Sequence, residues 1–328
     1  WEFSDQYRIR PWFQSYIFFY LIKILQLLSI QNPFIWTFVI KLILSLLSFI
    51  SLILFYYNFK DRLFRDNNFN RFIILLFCFY PFFHSRTSSE NLGTSFFILG
   101  FLFLDFVSQY KNRNKFFYYE ILAGVFFGLA IITRYQILIF VLGIYLWFLI
   151  FSLNYKNIKS LFVIGLNITL VLILGLIFDT YGYQEVNLTY YNYYHANFVV
   201  GMLHAFGTQS WWYYFVEISK SFIPPIGLIF LITFIYIIYK KFDNLIVFIS
   251  LLFFLVFSLI GHKELRFLFP LLFFSPFFIC FFIDSFSNWK FIYSIKVLLV
   301  FSNLLFLLIF FIIPATEQVS LYKYIYKN

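Results

Sequence analysis

Apolar runs of roughly 17 to 25 residues, separated by short polar stretches, recur along nearly the whole chain without the every-second-residue alternation of a strand. That is the length an α-helix needs to cross the hydrocarbon of a bilayer. The pattern predicts an all-α polytopic membrane protein with about ten transmembrane helices, near residues 34–57, 71–84, 92–109, 118–134, 135–153, 160–178, 221–239, 243–261, 267–284 and 291–314. Residues 12–30 follow Pro11 and carry Gln14, Lys23 and Gln26, which predicts a helix lying along the membrane surface.

Alternation of these spans assigns every connection to one of two faces. One face receives twelve basic residues, in the segments 60–71, 111–115, 154–159 and 240–241 and at Lys290, which marks it as cytoplasmic. The other receives HSRTSSEN (84–91), TRYQ (133–136), a long loop over 179–220, GHKELRF (261–267) and the tail over 315–328. All four histidines, His84, His195, His204 and His262, fall on this second face. The whole of 1–328 reads as one transmembrane domain, with 1–33 as the end of an external loop plus the interfacial helix and 34–314 as the bundle.

Composition agrees, with 62% hydrophobic and 12% charged residues, which excludes a water-soluble domain. The net charge of +10 is accounted for by the asymmetry between faces and gives no reason to invoke nucleic acid. Cys78 and Cys280 both lie in apolar runs and read as small packing residues.

Candidate chemistry gathers on the external face, where titratable groups at a bilayer edge are costly unless paired or used. His262, Lys263, Glu264 and Arg266 could form a cationic pocket with one internal carboxylate, suited to an anionic phosphate. The same four could anchor a helix end. Arg86 and Glu90 are four apart and would share a face of the helix that follows. Arg134 interrupts a boundary between two spans, as a cavity residue or a snorkelling one. Asp179 could cap, bind a sugar hydroxyl or act as a base. Tyr181, Trp211 and Trp212 belong to a loop rich in Tyr, Trp and Asn, a composition shared by glycan-binding surfaces and interfacial aromatic belts. No phosphate loop, zinc spacing or hydrolase triad is evident.

HKELRF (262–267) resembles the HKEERF-type signature of glycosyltransferase family 22, the dolichyl-phosphate-mannose-dependent α-mannosyltransferases of GPI-anchor and N-glycan precursor assembly. RTSSENLGT (86–94), DTYGYQ (179–184), FGTQSWWYYF (206–215) and WEFSDQYRIRPW (1–12) are similar to further segments of that family, in family order. The third-mannosyltransferase branch of GPI assembly and its bacterial relatives are the most similar. Departures are Gln209-Ser210 for x-Pro, Ser89-Glu90 at the Asn of R-T-x-S-N, and Leu265 for a second Glu.

The resemblance implies a GT-C fold that transfers mannose from a polyprenyl- or dolichyl-phosphate donor to a lipid-linked glycan or GPI-type glycolipid, forming an α-linkage on the non-cytoplasmic face. His262, Lys263, Glu264 and Arg266 would bind the donor phosphate, and Arg86, Glu90, Arg134, Asp179, Tyr181, Trp211 and Trp212 would line the cavity. The family's acidic base belongs to an H-P-D-E segment not found here; the chain is expected to be N-terminally truncated and catalytically incomplete, one helix short of eleven, with Glu2 near the missing base. No metal and no cofactor are expected beyond the lipid-phosphate mannose donor, and the partners are that donor, the acceptor and membrane lipids. The membrane would be that of the endoplasmic reticulum in a eukaryote or the inner membrane in a bacterium. A transporter or flippase for an anionic lipid or metabolite is the rival from another class, and it predicts charges in mid-span, where Lys41 is nearly alone.

Overall fold

The computed structural model describes residues 4, 7–65, 67–109, 113–221, 225–312, 322 and 324–326. Among them every regular element is a helix. The first group is α1 (Phe13–Leu27), α2 (Pro33–Leu63), α3 (Asn68–Leu75), α4 (Phe79–His84), α5 (Ser89–Gln109), α6 (Arg113–Thr133), α7 (Leu138–Phe151) and α8 (Tyr155–Tyr183). The second is α9 (Thr189–Tyr194), α10 (Met202–Ala205), α11 (Tyr213–Ser221), α12 (Ile226–Lys241), α13 (Leu245–Leu259), α14 (Phe269–Leu272), α15 (Ser275–Ser285) and α16 (Ile292–Ile312). Within the segment 12–30, α1 forms as a helix.

The surface is inverted relative to a water-soluble protein. Leu166, Leu170, Ile173 and Ile177 of α8 are half exposed, while Ser48, Asn70, Asn91 and Asn303 are buried. Polar groups inside and leucines outside fit a bundle whose solvent is lipid. The central helices approach closely through small residues. Gly124 and Gly128 of α6, four apart, face α8, and a Cβ on them would come within 2.6 Å of Ile164 O and of Val171 Cβ respectively. Such a small-xxx-small pair lets two backbones touch where side chains would hold them apart.

Among the described residues four helices are long and apolar enough to span: Pro33–Arg62, Ser89–Val107, Lys156–Tyr183 and Ile292–Ile312. A fifth is the pair Leu265–Leu272 and Ser275–Ser285, bent by 55°. The shorter apolar helices Phe13–Leu27, Phe117–Thr133, Tyr135–Phe151 and Leu245–Leu259 accompany them, and the expected ten spans are not confirmed by helix length and composition. The run at 71–84 breaks between α3 and α4, and Asn303 of α16 bridges the gap. Its Oδ1 accepts from Cys78 N–H at 2.7 Å and its Nδ2 donates to Leu76 O at 2.7 Å. At the bend before α15, the Tyr80 hydroxyl donates to Phe273 O at 2.8 Å. Broken backbone inside a bilayer persists only where neighbouring side chains satisfy its polar groups, and both breaks meet that condition.

Chain direction places the start of α5 and the ends of α6, α8 and α13 at one end of the bundle, where residues far apart in sequence meet.

Candidate active site

The turn from α13 to α14 carries Gly261–Arg266 and is clasped to the stretch before α11. Gln209 N–H donates to Gly261 O at 2.9 Å, and the Tyr214 hydroxyl donates to Glu264 O at 3.3 Å. His262 Nδ1 lies 3.3 Å from Gly207 O, and its ring packs 5.7 Å from that of Phe206. Gly207 itself adopts φ +85°, a left-handed conformation that a side chain would strain.

Lys263 is the peg of this clasp. It is buried, and its Nζ donates to Gln209 O at 2.9 Å and to Ile260 O. Burial lowers its pKa. Two of its three N–H bonds therefore go to backbone, so the side chain expected to meet a phosphate instead joins the two segments. Its neighbours are linked to one another: Glu264 accepts from half-exposed Arg266 Nη2 at 2.9 Å, with a second contact from Arg266 Nε, and lies 3.2 Å from the Nε2 of largely covered His262.

Burial alone would raise the Glu264 carboxyl, but its hydrogen bonds with Arg266 and His262, and their charges, outweigh it and hold the group below its ordinary value. The sign follows. A carboxyl depressed in the folded state contributes stability that is complete above its unfolded pKa, about 4.3, and is lost as pH falls through the folded value. The unfolding midpoint of the detergent-solubilised protein should thus lose this contribution only below about pH 4.3, and Glu264→Gln should remove that acid-side sensitivity. An acid limb unchanged in the variant would refute the assignment.

Behind the turn stands a second layer. Arg134, at the end of α6, pairs with Glu90 in the first turn of α5 at 2.9 Å, with side chains only 10% and 5% exposed. Arg134 Nε also donates to Gln136 Oε1 at 2.8 Å, and the guanidinium stands 5.8 Å from the Phe267 ring, which also receives Arg266 at 5.9 Å. Arg10 and Arg266 are both within electrostatic reach of Arg134, and Arg86 of Glu90 and Arg266. Arg86 lies over the Phe82 ring at 4.1 Å. Its backbone is fixed by buried Asn91, whose Nδ2 donates to Arg86 O at 2.9 Å and His84 O at 2.8 Å. Among the described residues Arg86, Arg134 and Arg266 thus gather about the two carboxylates Glu90 and Glu264, a grouping of guanidiniums suited to an anion. A cavity of about 180 Å3, lined by Arg10, Gln14, Ser89 and Thr133 among others, opens beside them.

Asp179 sits apart from this layer. It is 1% exposed, and its oxygens accept from Trp12 N–H at 2.7 Å and from the Thr189 hydroxyl. Tyr183 donates to Arg10 O at 2.8 Å. DTYGYQ therefore pins the segment that carries Arg10. Tyr181 is 72% exposed beside Tyr16, and Trp211 and Trp212 are exposed at the outer edge of the clasp. His84 is a core residue stacked on Tyr80 at 4.8 Å, not part of the exposed layer. Glu2 lies outside the described residues. Two contributors were not singled out in sequence, although both lie in segments that were: Arg10 in WEFSDQYRIRPW and Asn91 in RTSSENLGT.

The clasp and the arginine layer join the similar segments into one place, and comparison of the whole chain decides the family. The model of the Alg9-like mannosyltransferase family matches residues 1–327. The chain belongs to that family. Two curated members of similar sequence are a probable Dol-P-Man:Man(7)GlcNAc(2)-PP-Dol alpha-1,6-mannosyltransferase of Schizosaccharomyces pombe, 41% identical over 73 residues, and GPI mannosyltransferase 3 of Candida albicans, 30% identical over 106 residues. These stretches cover 22% and 32% of this chain but only 13% and 20% of the two relatives. No solved structure matches. Within the Alg9-like family the present chain thus places its arginines and its HKELRF turn at one end of the bundle.

Proposed function

We propose that this protein transfers mannose from a lipid-phosphate donor to a hydroxyl of a lipid-linked glycan or GPI-type glycolipid, on the non-cytoplasmic side of its membrane and with inversion to an α-linkage. The observation that carries this reading is the meeting of the HKELRF turn and the arginine layer, with Arg134 and Arg266 at Phe267, Arg134 paired with Glu90, Arg266 with Glu264, and Arg86 near Glu90. Arg266, half exposed, offers its fork to the donor phosphate, and Arg86 and Arg134 add field behind it. His262 and Glu264 orient Arg266. Lys263 acts as a positioning residue through the clasp.

In the step itself the acceptor oxygen attacks C1 of the mannose, the C1–O bond to phosphate breaks, and the phosphate leaves with the electron pair. The acceptor proton passes to a general base. Glu90, Glu264 and Asp179 are each committed to partners, so none of these three is assigned that role. The test is full-length protein in vesicles with radiolabelled lipid-phosphate mannose and a glycolipid extract. Label is expected in the glycolipid fraction and removable by α-mannosidase. Label that crosses the vesicle membrane without entering glycolipid would show a transporter and overturn the proposal.

A further inference from the structure

No Asp, Glu, Lys or Arg occurs in residues 186–216, although this segment belongs to the end of the bundle where charged side chains gather. Thr189 is bonded to Asp179 at the end of α8, and Gln209 is clasped to Gly261. Between them the chain forms α9, a π-helical turn over His195–Val199, and α10, and it then runs into α11. The two sides of this uncharged cap differ. Inward, Thr189, Ala196 and Asn197 are buried, at the seven- and eight-residue spacing of one helix face. Outward, Tyr191, Tyr194, Phe198, Val199, Val200 and Trp211 are each at least half exposed. The first three follow spacings of three and four, and the rings of Tyr194 and Phe198 stack at 5.6 Å.

An apolar face of this kind marks a surface that meets something other than water. The asparagines tell against a glycan. Asn187 Nδ2 donates to Arg8 O at 3.1 Å, Asn192 Nδ2 to Asn187 Oδ1 at 2.8 Å and Asn197 Nδ2 to Tyr193 O at 2.9 Å. A sugar surface needs such amides beside its rings, and here they are spent inside the fold, while Val199 and Val200 offer a sugar no hydrogen bond. Protein interfaces carry a polar rim, and no charged residue of 186–216 supplies one. Continuity favours lipid. The cap starts where α8 ends, a helix whose Leu170, Ile173 and Ile177 face outward, and Tyr181 and Val186 continue the exposed apolar path. It finishes in α11, next along the chain to α12, whose Leu228 and Ile232 also face outward. Both ends of the cap therefore join lipid-facing helices at their boundary with the headgroups, the depth at which Tyr and Trp collect.

We propose that the cap is seated in the phospholipid leaflet at the arginine-layer end, with Tyr191, Phe198 and Trp211 at the boundary between headgroups and acyl chains. Helices that lie in this way bury their apolar face about 5–10 Å into that boundary. The seating stands independently of the transferase reading. It also has a mechanical consequence, because Gly207 and Gln209 of the cap hold His262, Gly261 and Lys263. The depth of the cap in the leaflet thus sets the depth of the HKELRF turn.

The experiment places a fluorescent label at Phe198→Cys or Trp211→Cys in the full-length protein, reconstituted in phosphatidylcholine vesicles. Cys78 and Cys280 are buried, so the folded protein takes label at the new thiol. A phospholipid with a nitroxide at the top of its acyl chain should quench both labels at least about twofold, and aqueous iodide should leave them nearly unchanged. Quenching by iodide without quenching by lipid overturns the seating in favour of a water-facing surface. Insensitivity to both overturns it in favour of a covering protein. Stronger quenching from a nitroxide at the chain terminus overturns the boundary depth. On wild-type protein, a phospholipid with a photoactivatable group beside its headgroup should crosslink within 191–212. Crosslinks confined to other segments overturn the seating, and this arm decides even where a variant fails to fold.

Discussion

Arg134→Ala should destabilise the protein by about 3 kcal/mol or more, because it leaves the Glu90 carboxylate buried without its partner. The two side chains are nearly inaccessible, so water cannot take over the lost contact cheaply. Removing one member of a buried pair costs far more than removing both. The double variant Arg134→Met/Glu90→Leu should therefore recover most of the lost thermal stability. It should not recover transfer, since Arg134 also contributes its charge to the layer around Arg266. Thermal unfolding in detergent and transfer in vesicles read the two effects separately. A double variant as unstable as the single one would show that Glu90 and Arg134 do not act as a pair.

Arg266→Ala is expected to lower mannosyl transfer by about 100-fold or more with little change in the unfolding midpoint. Its side chain is half exposed, so little packing is lost, and Glu264 keeps His262 at 3.2 Å. What disappears is the fork that meets charge developing on the departing phosphate, and a preorganised donor at such a position accounts for factors of this size. Arg266→Lys keeps the charge but not the paired donors, and should fall between the two. Undiminished transfer by Arg266→Ala would move the phosphate site away from the HKELRF turn.

Much of this arrangement was legible in the chain. Long apolar runs required helices, and alternation of spans alone puts Arg86, Arg134 and GHKELRF on one face. What escaped were properties of single side chains that hydropathy does not carry. Lys263 reads in sequence as a phosphate-pocket cation or a helix-end anchor, and the carbonyls of Gln209 and Ile260 draw it inward. Asp179 could have been a base, and only the approach of Trp12 N–H and Thr189 makes it a clamp. The break within 71–84 escaped because an average over that run cannot register that Asn303, far along the chain, lets a helix break there. The spacing of Gly124 and Gly128 was a readable sign of the α6–α8 contact and went unused.

The same asparagine orders events during synthesis. Its partner Cys78 lies 225 residues earlier, so the broken segment around it enters the membrane with two peptide groups unmatched. That broken segment needs provisional shelter, from water or from the insertion machinery, until α16 arrives to splint it. α16 is therefore not a dispensable anchor, and a chain that stops short of residue 303 leaves a defect around residue 78.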